Sequence, residues 1–283
     1  MTVRLVGGIG TSHVPAVGAA IDQGATQDPY WQEYFRKVTP AKAWMARQAP
    51  DVCIVIYNDH ASAFSLEMIP TFALGVAAEF PPADEGYGPR PVPTVPGHPE
   101  LAWHLAESLI LDEFDLTIVN EMAVDHGLTV PLSILYDQPE QWPCRVIPIC
   151  VNVIQYPPPT GKRCYDLGRA IRRALDSFAA EDGREVSVAV IGTGGMSHQL
   201  QGERAGLVNP EFDLAFMDDL VNDPDAAKMR PHTEYLREAG SEGIELVMWL
   251  VMRGVLGEVT ETYRQHHVPT SNTGNGLLII EER

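Results

Sequence analysis

Three apolar runs of buried-strand composition, each closed by glycines or polar residues, constrain the fold of this chain more than any other feature. They cover residues 3–9, 51–57 and 186–191, and valine and isoleucine dominate them. Stretches with helical spacing of apolar residues lie between these runs, for example residues 28–49, which Pro40 should split into two helices, and residues 164–180. Strands that alternate with helices are typical of α/β proteins. The pattern predicts one α/β domain over residues 1–283, with a mostly parallel or mixed central sheet flanked by helices.

Each of these runs leads into a loop that carries a histidine. His13 follows the first run, His60 the second and His198 the third, and His126 follows a further strand-like stretch. Neighbouring parallel strands present their carboxyl ends at the same edge of a sheet, where α/β proteins usually hold reactive groups. The active site is therefore expected in loops at strand ends. The alternative is that these histidines cap turns or bond to the backbone without further role.

A candidate acidic partner lies in the segment AGSEGIELVMW. If Ser241 is the N-cap of a helix, Glu242 falls in the first turn, where a carboxylate favours the helix dipole without further role. Glu245 shares its helix face with bulky apolar residues such as Trp249, and a buried carboxylate there needs a cation or dense hydrogen bonding to stay ionised. Two imidazoles and one carboxylate suit non-haem Fe(II), although the same set also binds Mn(II) or Zn(II). A salt bridge to Glu245 is the alternative.

The charge balance excludes some classes of function. The chain has 20 Lys+Arg against 38 Asp+Glu, a formal net charge of −18. Such a chain repels phosphate backbones and anionic lipid surfaces, so we expect it to bind neither nucleic acid nor a membrane. An anionic substrate would need local positive charge or a metal ion.

Cysteine usage and hydropathy predict the compartment. The four cysteines form no CxxC pair, and three of them lie in or beside apolar strand-like runs. This is typical of reduced, buried thiols in a cytosolic protein. No apolar run reaches the roughly 18 residues of a membrane span, and the N-terminus lacks a signal-peptide pattern. A cytoplasmic location is therefore expected.

Residues 79–99 form a segment with its own character. They contain seven prolines and follow no helical or strand period. A segment of this length is too long for an ordinary connector. We expect a semi-rigid surface loop that serves as a lid or as a subunit contact.

Five motifs resemble the catalytic β subunits of class III extradiol dioxygenases of the protocatechuate 4,5-dioxygenase type. The motifs are GIGTSHVP, YNDH, GTGGMSHQLQG, AGSEGIELVMW and HHVPTSNT. The similarity extends over nearly the whole chain, from the first strand to residue 272. It implies an enzyme that uses non-haem Fe(II) and O2 to open an aromatic ring.

The resemblance also implies roles for individual residues. It places the two iron histidines at His13 and His60 and the iron carboxylate at Glu245, with Glu242 as the fallback. The acid/base histidine of the family corresponds to His198.

Substrate contacts are implied in the same way. His126 corresponds to the histidine that contacts a substrate hydroxyl, and Ser271 and Asn272 match positions around the substrate carboxylate. Without the resemblance, His126 is equally a strand-end histidine bonded to the backbone, and the loop at residues 271–272 is equally a simple turn.

The implied reaction is cleavage of the 4,5 bond of protocatechuate, beside the two hydroxyls, to give 4-carboxy-2-hydroxymuconate semialdehyde. Gallate and 3-O-methylgallate are the alternative substrates. A non-catalytic metal-binding protein on the same fold is the alternative from another class. In the family a small α subunit closes the active site in an α2β2 heterotetramer, so such a partner is expected here.

Overall fold

The apolar runs form the strands of one sheet in the computed structural model, which describes residues 3–269 and 272–283. In chain order the strands are β1 (Val3–Thr11), β2 (Val52–Tyr57), β3 (Phe72–Gly75), β4 (Glu79–Phe80), β5 (Val95–Pro96), β6 (Thr117–Val119), β7 (Arg145–Val151), β8 (Val186–Thr193), β9 (Val259–His267) and β10 (Asn275–Glu282). Every residue of β2 and β8 is buried. A strand that is covered on both faces needs an unbroken apolar run, which is the pattern in the sequence.

Eight of these strands form a mixed sheet in the order β6-β3-β7-β2-β8-β1-β10-β9. The central strands β7, β2, β8 and β1 are parallel to their neighbours in this group. Strands β3, β10 and β9 add antiparallel pairings towards the two edges. β4 and β5 pair with each other outside this sheet. The prediction of a mostly parallel or mixed sheet is confirmed.

Helices cover both faces of the sheet. They are α1 (Pro15–Asp22), α2 (Gln32–Gln48), α3 (Pro99–Leu111), α4 (His126–Tyr136), α5 (Gly161–Ser177), α6 (Pro210–Asn222), α7 (Pro224–Met229), α8 (His232–Glu234) and α9 (Val247–Val255). A π-helical turn, Tyr235–Ala239, follows α8, and a 3-10 helix, Glu242–Leu246, leads into α9.

The alternation of side chains along β2 divides the core into two layers. Val52, Ile54 and Ile56 pack into a cluster with α3, α5, α6 and α9. Cys53 and Val55 point to the opposite face and pack with α1, α2 and α4. Successive side chains of a strand point to opposite faces, so one apolar run supplies both layers.

Strand order decides how the histidine-bearing loops meet. β1 and β2 are not direct neighbours, because β8 lies between them and pairs in parallel with both. The loop after β8 therefore lies between the loops that carry His13 and His60. All three loops leave the same edge of the sheet.

Three local predictions need correction. His126 does not follow a strand directly, because it is the first residue of α4, seven residues beyond β6. Pro40 does not split residues 28–49 into two helices, since α2 continues through it and buries residues on both sides, including Val38 and Ala41. Ser241 makes no side-chain N-cap bond, and the segment after it begins as a 3-10 helix.

Within the part of the chain that the structure describes, none of the helices has the length and apolar character needed to cross a lipid bilayer.

Candidate metal and active site

The carboxyl ends of β1, β2 and β8 bring three histidine loops together. His13 lies two residues beyond β1, His60 three residues beyond β2, and His198 five residues beyond β8. The ring centroids of His13 and His60 are 5.1 Å apart. Two histidines that are 47 residues apart in sequence thus become neighbours.

His13 is buried and fixed through both ring nitrogens. Its Nδ1 lies 3.0 Å from the hydroxyl oxygen of Thr193, at the end of β8. Its Nε2 lies 3.4 Å from Oε2 of Glu245. Burial lowers the pKa of His13 below its usual value, although the charge of Glu245 acts in the opposite direction. This direction favours the neutral imidazole, whose lone pair can bind a metal ion.

His60 is oriented by the carboxylate of Asp125. The backbone N–H of His60 donates to Oδ2 of Asp125 at 2.6 Å, and Nδ1 lies 3.0 Å from the same oxygen. Nε2 lies 4.0 Å from Oε1 of Glu245 and 3.0 Å from the side-chain nitrogen of Asn58. Burial alone would lower the pKa of His60, but the hydrogen bond and charge of Asp125 outweigh it and raise the pKa.

Glu245 is a buried carboxylate on the 3-10 helix before α9, with 4% of its surface exposed. Its Oε2 accepts a hydrogen bond from the backbone N–H of Gly195 at 2.7 Å. Burial would raise the pKa of Glu245, but the charge and hydrogen bond of His13 outweigh it and hold the pKa well below its usual value. The carboxylate is therefore ionised where it faces the two imidazoles.

Glu242 lies elsewhere. Its Oε2 accepts hydrogen bonds from the backbone N–H of Leu200 at 3.2 Å and from the hydroxyl of Ser241 at 2.6 Å. Of the two glutamates in the segment, Glu245 is the one in contact with His13.

These groups are compatible with one divalent metal ion. Ring nitrogens of His13, His60 and His126 lie within 4.8 Å of one another, and Glu245 adds the negative charge beside them. Imidazole and carboxylate donors suit Fe, Mn and Zn. The Nδ1 atoms of His13 and His60 already have hydrogen-bond partners, as metal-binding imidazoles usually do.

His126 lies against the two other histidines. Its ring stacks on the ring of His60 with centroids 3.9 Å apart and an angle of 29° between the planes. The centroid of His13 is 5.6 Å away. The carboxylate of Glu85 accepts a hydrogen bond from the backbone N–H of His126 at 2.9 Å and also contacts Nδ1. Both the structure and the resemblance thus bring His126 to the site, although its ring is also close enough to be a metal ligand.

His198 is buried in the loop after β8. Its Nδ1 lies 2.9 Å from the carbonyl oxygen of Met196, and its backbone N–H donates to the carbonyl of Ala239 at 2.8 Å. A carbonyl can only accept, so Nδ1 carries the hydrogen and Nε2 has the lone pair. Electrostatic interaction with the ring of His198 contributes to lowering the pKa of Glu245.

A network of hydrogen bonds around the carboxylate of Asp213 anchors this loop. Asp213 on α6 accepts hydrogen bonds from the backbone N–H of Ser197 at 2.9 Å and from its hydroxyl at 2.8 Å. Nε2 of His266 on β9 lies 2.8 Å from the same carboxylate. The residue next to His198 is thus tied to two further elements.

The predicted carboxylate-binding residues are only partly described. Ser271 lies outside the described residues. Asn272 is exposed and has a left-handed backbone, with φ of 58°. The next residue, Thr273, forms an isolated bridge with His198. Asn272 therefore lies one residue from the backbone that pairs with the candidate acid/base group.

Sequence reasoning missed the groups that orient the histidines. Thr193, Asp125 and Glu85 are the hydrogen-bond partners of His13, His60 and His126 respectively. Asp125 had a usable signal, because it directly precedes His126 in the motif DH. Glu85 had none, since it lies 41 residues from His126 in a proline-rich segment.

Comparison with known proteins points to one family. Residues 7–276 match the family described as catalytic LigB subunit of aromatic ring-opening dioxygenase. This match includes all the candidate site residues.

Named relatives also match. A gallate dioxygenase from Pseudomonas putida is 43% identical over 201 residues, which cover 71% of this chain and 58% of the relative. A 2,3-dihydroxyphenylpropionate/2,3-dihydroxicinnamic acid 1,2-dioxygenase from Photorhabdus laumondii is 31% identical over 75% of this chain and 61% of the relative. The chain therefore spans about three fifths of the length of these two relatives. An enzyme of the latter name from Comamonas testosteroni is 29% identical over 96% of this chain and 95% of its own length.

The fold also has a counterpart among solved structures. The crystal structure of an uncharacterized protein from Escherichia coli K12 superposes with a TM-score of 0.52 over 98% of this chain and 100% of that chain. The two sequences are 13% identical, so this likeness concerns the fold alone.

Proposed function

This chain belongs to the family of catalytic LigB subunits of aromatic ring-opening dioxygenases, and on that premise we propose that it catalyses extradiol cleavage of a catechol-type aromatic acid with O2. The observation that carries the proposal is the convergence of His13, His60 and Glu245 at the edge of the sheet that also carries His198, whose Nε2 has no hydrogen-bond partner among the described residues. One carboxylate and two imidazoles that bind through their lone pairs would leave open positions on a metal ion for other ligands.

We assign the metal-holding role to His13, His60 and Glu245, and we take the metal to be Fe(II). A ferrous ion held there supplies the reactivity towards O2 and lowers the pKa of a substrate hydroxyl. The Nδ1 hydrogen bonds of His13 and His60 keep their Nε2 atoms directed at Glu245.

In the proposed reaction, two further histidines beside the metal ligands bind and transfer the protons of the substrate hydroxyls. Nε2 of His198 accepts a proton from a substrate hydroxyl and later returns it, since an imidazole exchanges protons readily near neutral pH. His126 orients the second hydroxyl. Burial of both imidazoles limits exchange of these protons with bulk water.

Protocatechuate is the first candidate substrate, because five motifs resemble enzymes that cleave it at the 4,5 bond. Gallate is the second, because the relative from Pseudomonas putida is a gallate dioxygenase. Both compounds have adjacent hydroxyls and a ring carboxylate, and 3-O-methylgallate has both features as well. Ser271 and Asn272 are proposed to bind that carboxylate through neutral hydrogen bonds.

The proposed assembly includes a small α subunit that covers the site in an α2β2 complex. The resemblance of the motifs supports this partner. Loss of bulk water from the site would strengthen each interaction with the substrate carboxylate.

Oxygen uptake tests the proposal directly. The protein is loaded anaerobically with Fe(II) and offered protocatechuate, gallate, 3-O-methylgallate and plain catechol, with and without a candidate small subunit. We expect turnover of a carboxylated substrate, absorbance of a ring-opened product and a higher rate with the partner. The ratio of kcat/KM values identifies the preferred substrate.

Absence of oxygen uptake with all four compounds, with iron shown to be bound, would contradict the proposed reaction. The chain would then be a metal-binding protein on this fold without turnover.

A further inference from the structure

The proline-rich segment of residues 79–99 is bonded to the chain that leads into His126. The backbone N–H of Ala83 donates to the carbonyl of Val124 at 2.8 Å, and the N–H of Val124 donates to the carbonyl of Pro81 at 2.9 Å. Val124 lies two residues before His126. The start of this segment is therefore part of the frame that carries His126.

A tight turn at the tip of the segment is anchored on both sides of Glu85. One carboxylate oxygen of Asp84 accepts hydrogen bonds from the backbone N–H groups two and four residues on, at 2.8 and 2.9 Å. Arg90 makes a two-point ion pair with Asp22 of α1, with N···O distances of 2.9 and 2.6 Å. The backbone around Glu85 is thus held in place independently of the contacts that its side chain makes.

The carboxylate of Glu85 binds His126 through both oxygens. Oε1 accepts from the backbone N–H of His126 at 2.9 Å, and Oε2 contacts Nδ1 of the ring. A carboxylate only accepts hydrogen bonds, so Nδ1 carries a hydrogen, and in the neutral ring Nε2 has the lone pair. The contact at Nδ1 and the stacking on His60 together fix the orientation of the ring.

We propose that Glu85 is a positioning residue for His126: it holds the tautomer and ring orientation in which Nε2 accepts a hydrogen bond from a substrate hydroxyl. The inference rests on the proposed function, because that function gives His126 its hydroxyl-binding role. In this proposal, the proline-rich segment serves to hold the carboxylate of Glu85 beside His126.

The tautomer matters because it decides which oxygen His126 recognises. With hydrogen on Nδ1, the ring accepts from a protonated hydroxyl. With hydrogen on Nε2, the ring would instead donate to a deprotonated oxygen. Stacking on His60 fixes the plane of the ring but leaves this choice open. Glu85 closes it.

The first test reads the tautomer without turnover. The protein is labelled with 15N-histidine and loaded with Zn(II), which is diamagnetic, and long-range 1H–15N spectra are recorded. His126 is assigned by its absence in His126→Gln. We expect protonated Nδ1 and unprotonated Nε2 in the wild type. In Glu85→Gln one acceptor oxygen becomes an NH2 donor, so we expect loss of this pattern.

The second test is a double-variant cycle in the iron-loaded enzyme. Glu85→Gln should lower kcat/KM by about 10–100-fold, the usual effect of removing a group that orients a reactive imidazole. In the His126→Ala background the same change should have no further effect, because Glu85 acts through His126. Glu79→Gln, an exposed carboxamide substitution in the same segment, is the matched control and should leave kcat/KM within about twofold.

Two results would overturn the proposal: an unchanged His126 tautomer in Glu85→Gln, or losses that simply add in the double variant. A wild-type enzyme without turnover on any ring substrate would refute the proposed function instead. In that case the spectra still decide whether Glu85 sets the tautomer.

Discussion

At the scale of single residues, Glu242 and Glu245 are only three residues apart in sequence but have different surroundings. Both lie on one short 3-10 helix. Glu245 is buried against His13, with Nε2–Oε2 at 3.4 Å, whereas Glu242 accepts from a backbone N–H and a serine hydroxyl. These contacts support the metal-ligand role proposed for Glu245 and a local structural role for Glu242.

Glu245→Gln and Glu242→Gln form a matched pair that tests this difference. We expect Glu245→Gln to weaken Mn(II) or Fe(II) binding by more than about 100-fold, because even groups in the outer shell of a metal site account for 10–100-fold. Glu242→Gln should leave the affinity within about twofold. Anaerobic titration calorimetry measures both. Equal effects in the two variants would refute the ligand role of Glu245.

His198→Gln should separate catalysis from metal binding. Loss of a general acid/base lowers kcat by about 10²–10⁴-fold, while the metal content should not change because His198 is not one of the assigned ligands. The reference variant is His104→Gln, a histidine on α3 whose ring bonds to α5. Near-normal turnover in His198→Gln would mean that His198 only stabilises the loop, through its hydrogen bond to the carbonyl of Met196, and takes no part in catalysis.

At the scale of elements, the close approach of β1 to α9 sets the position of Glu245. A Cβ atom at Gly10 would lie 2.2 Å from Cε3 of Trp249. The indole N–H of Trp249 donates to the carbonyl of Gly194 at 3.0 Å, and Gly195 binds Glu245. The glycine in β1 therefore permits the contact that holds this carboxylate beside His13.

Gly10→Ala should disturb the site through this packing. Trp249 would have to move, at a cost of about 1–3 kcal/mol in the free energy of unfolding, and metal affinity should fall with it. Gly257→Ala is the control, since its added Cβ would meet only the end of the Glu282 side chain, at 3.2 Å. Urea denaturation and metal titration measure both effects. A stability equal to that of the control would show that α9 tolerates the shift.

Hydrogen bonds between Asp51 and Ser187 connect the beginning of β2 to the beginning of β8. Asp51 accepts from the backbone N–H of Ser187 at 2.8 Å and from its hydroxyl at 2.6 Å. These hydrogen bonds from Ser187 lower the pKa of Asp51 below its usual value. A carboxyl group with a lowered folded-state pKa stabilises the fold above its unfolded pKa and loses that effect as pH falls through the folded value.

Asp51→Asn should therefore lower the free energy of unfolding by about 0.5–1.5 kcal/mol at pH 7. The difference from the wild type should narrow as the pH falls below about 4, where the carboxyl group of the unfolded chain protonates first and that of the folded protein follows at lower pH. Urea denaturation at pH 7 and at lower pH values checks this. A difference that stays constant with pH would mean that the lost volume or geometry, not the charge, is responsible.

At the scale of the whole molecule, the proposed metal ligands come from parts of the chain that are far apart in sequence. His13, His60 and Glu245 come from the loops after β1 and β2 and from the segment before α9. A metal ion that binds these three at once binds only the folded protein. Binding should therefore stabilise the entire fold.

Metal addition should raise the melting temperature of the wild type. At a free metal concentration of about 100 times Kd the stabilisation is about 2.7 kcal/mol, which corresponds to an increase of about 5 °C for a domain of this size. Glu245→Gln should show no such increase at the same concentration. Differential scanning calorimetry with Mn(II) and then with a chelator provides the measurement. An equal increase in the variant would place the metal elsewhere.

The sequence by itself determined the fold class and the identity of the loops that carry the histidines. Continuous apolar runs can be satisfied only where both faces of a strand are covered, so β1, β2 and β8 followed from composition. The same reasoning failed for α2, where tertiary burial on both sides of Pro40 outweighs the local preference of proline to end a helix. It also missed that His126 begins a helix.

Only the tertiary structure decided which side chains meet. Strand order placed β8 between β1 and β2, and no local pattern encodes such a pairing. The partners of the site histidines, Thr193, Asp125 and Glu85, lie 180, 65 and 41 residues from them along the chain. Local sequence sets backbone conformation and burial, whereas hydrogen bonds over such separations exist only once the sheet and its loops are assembled.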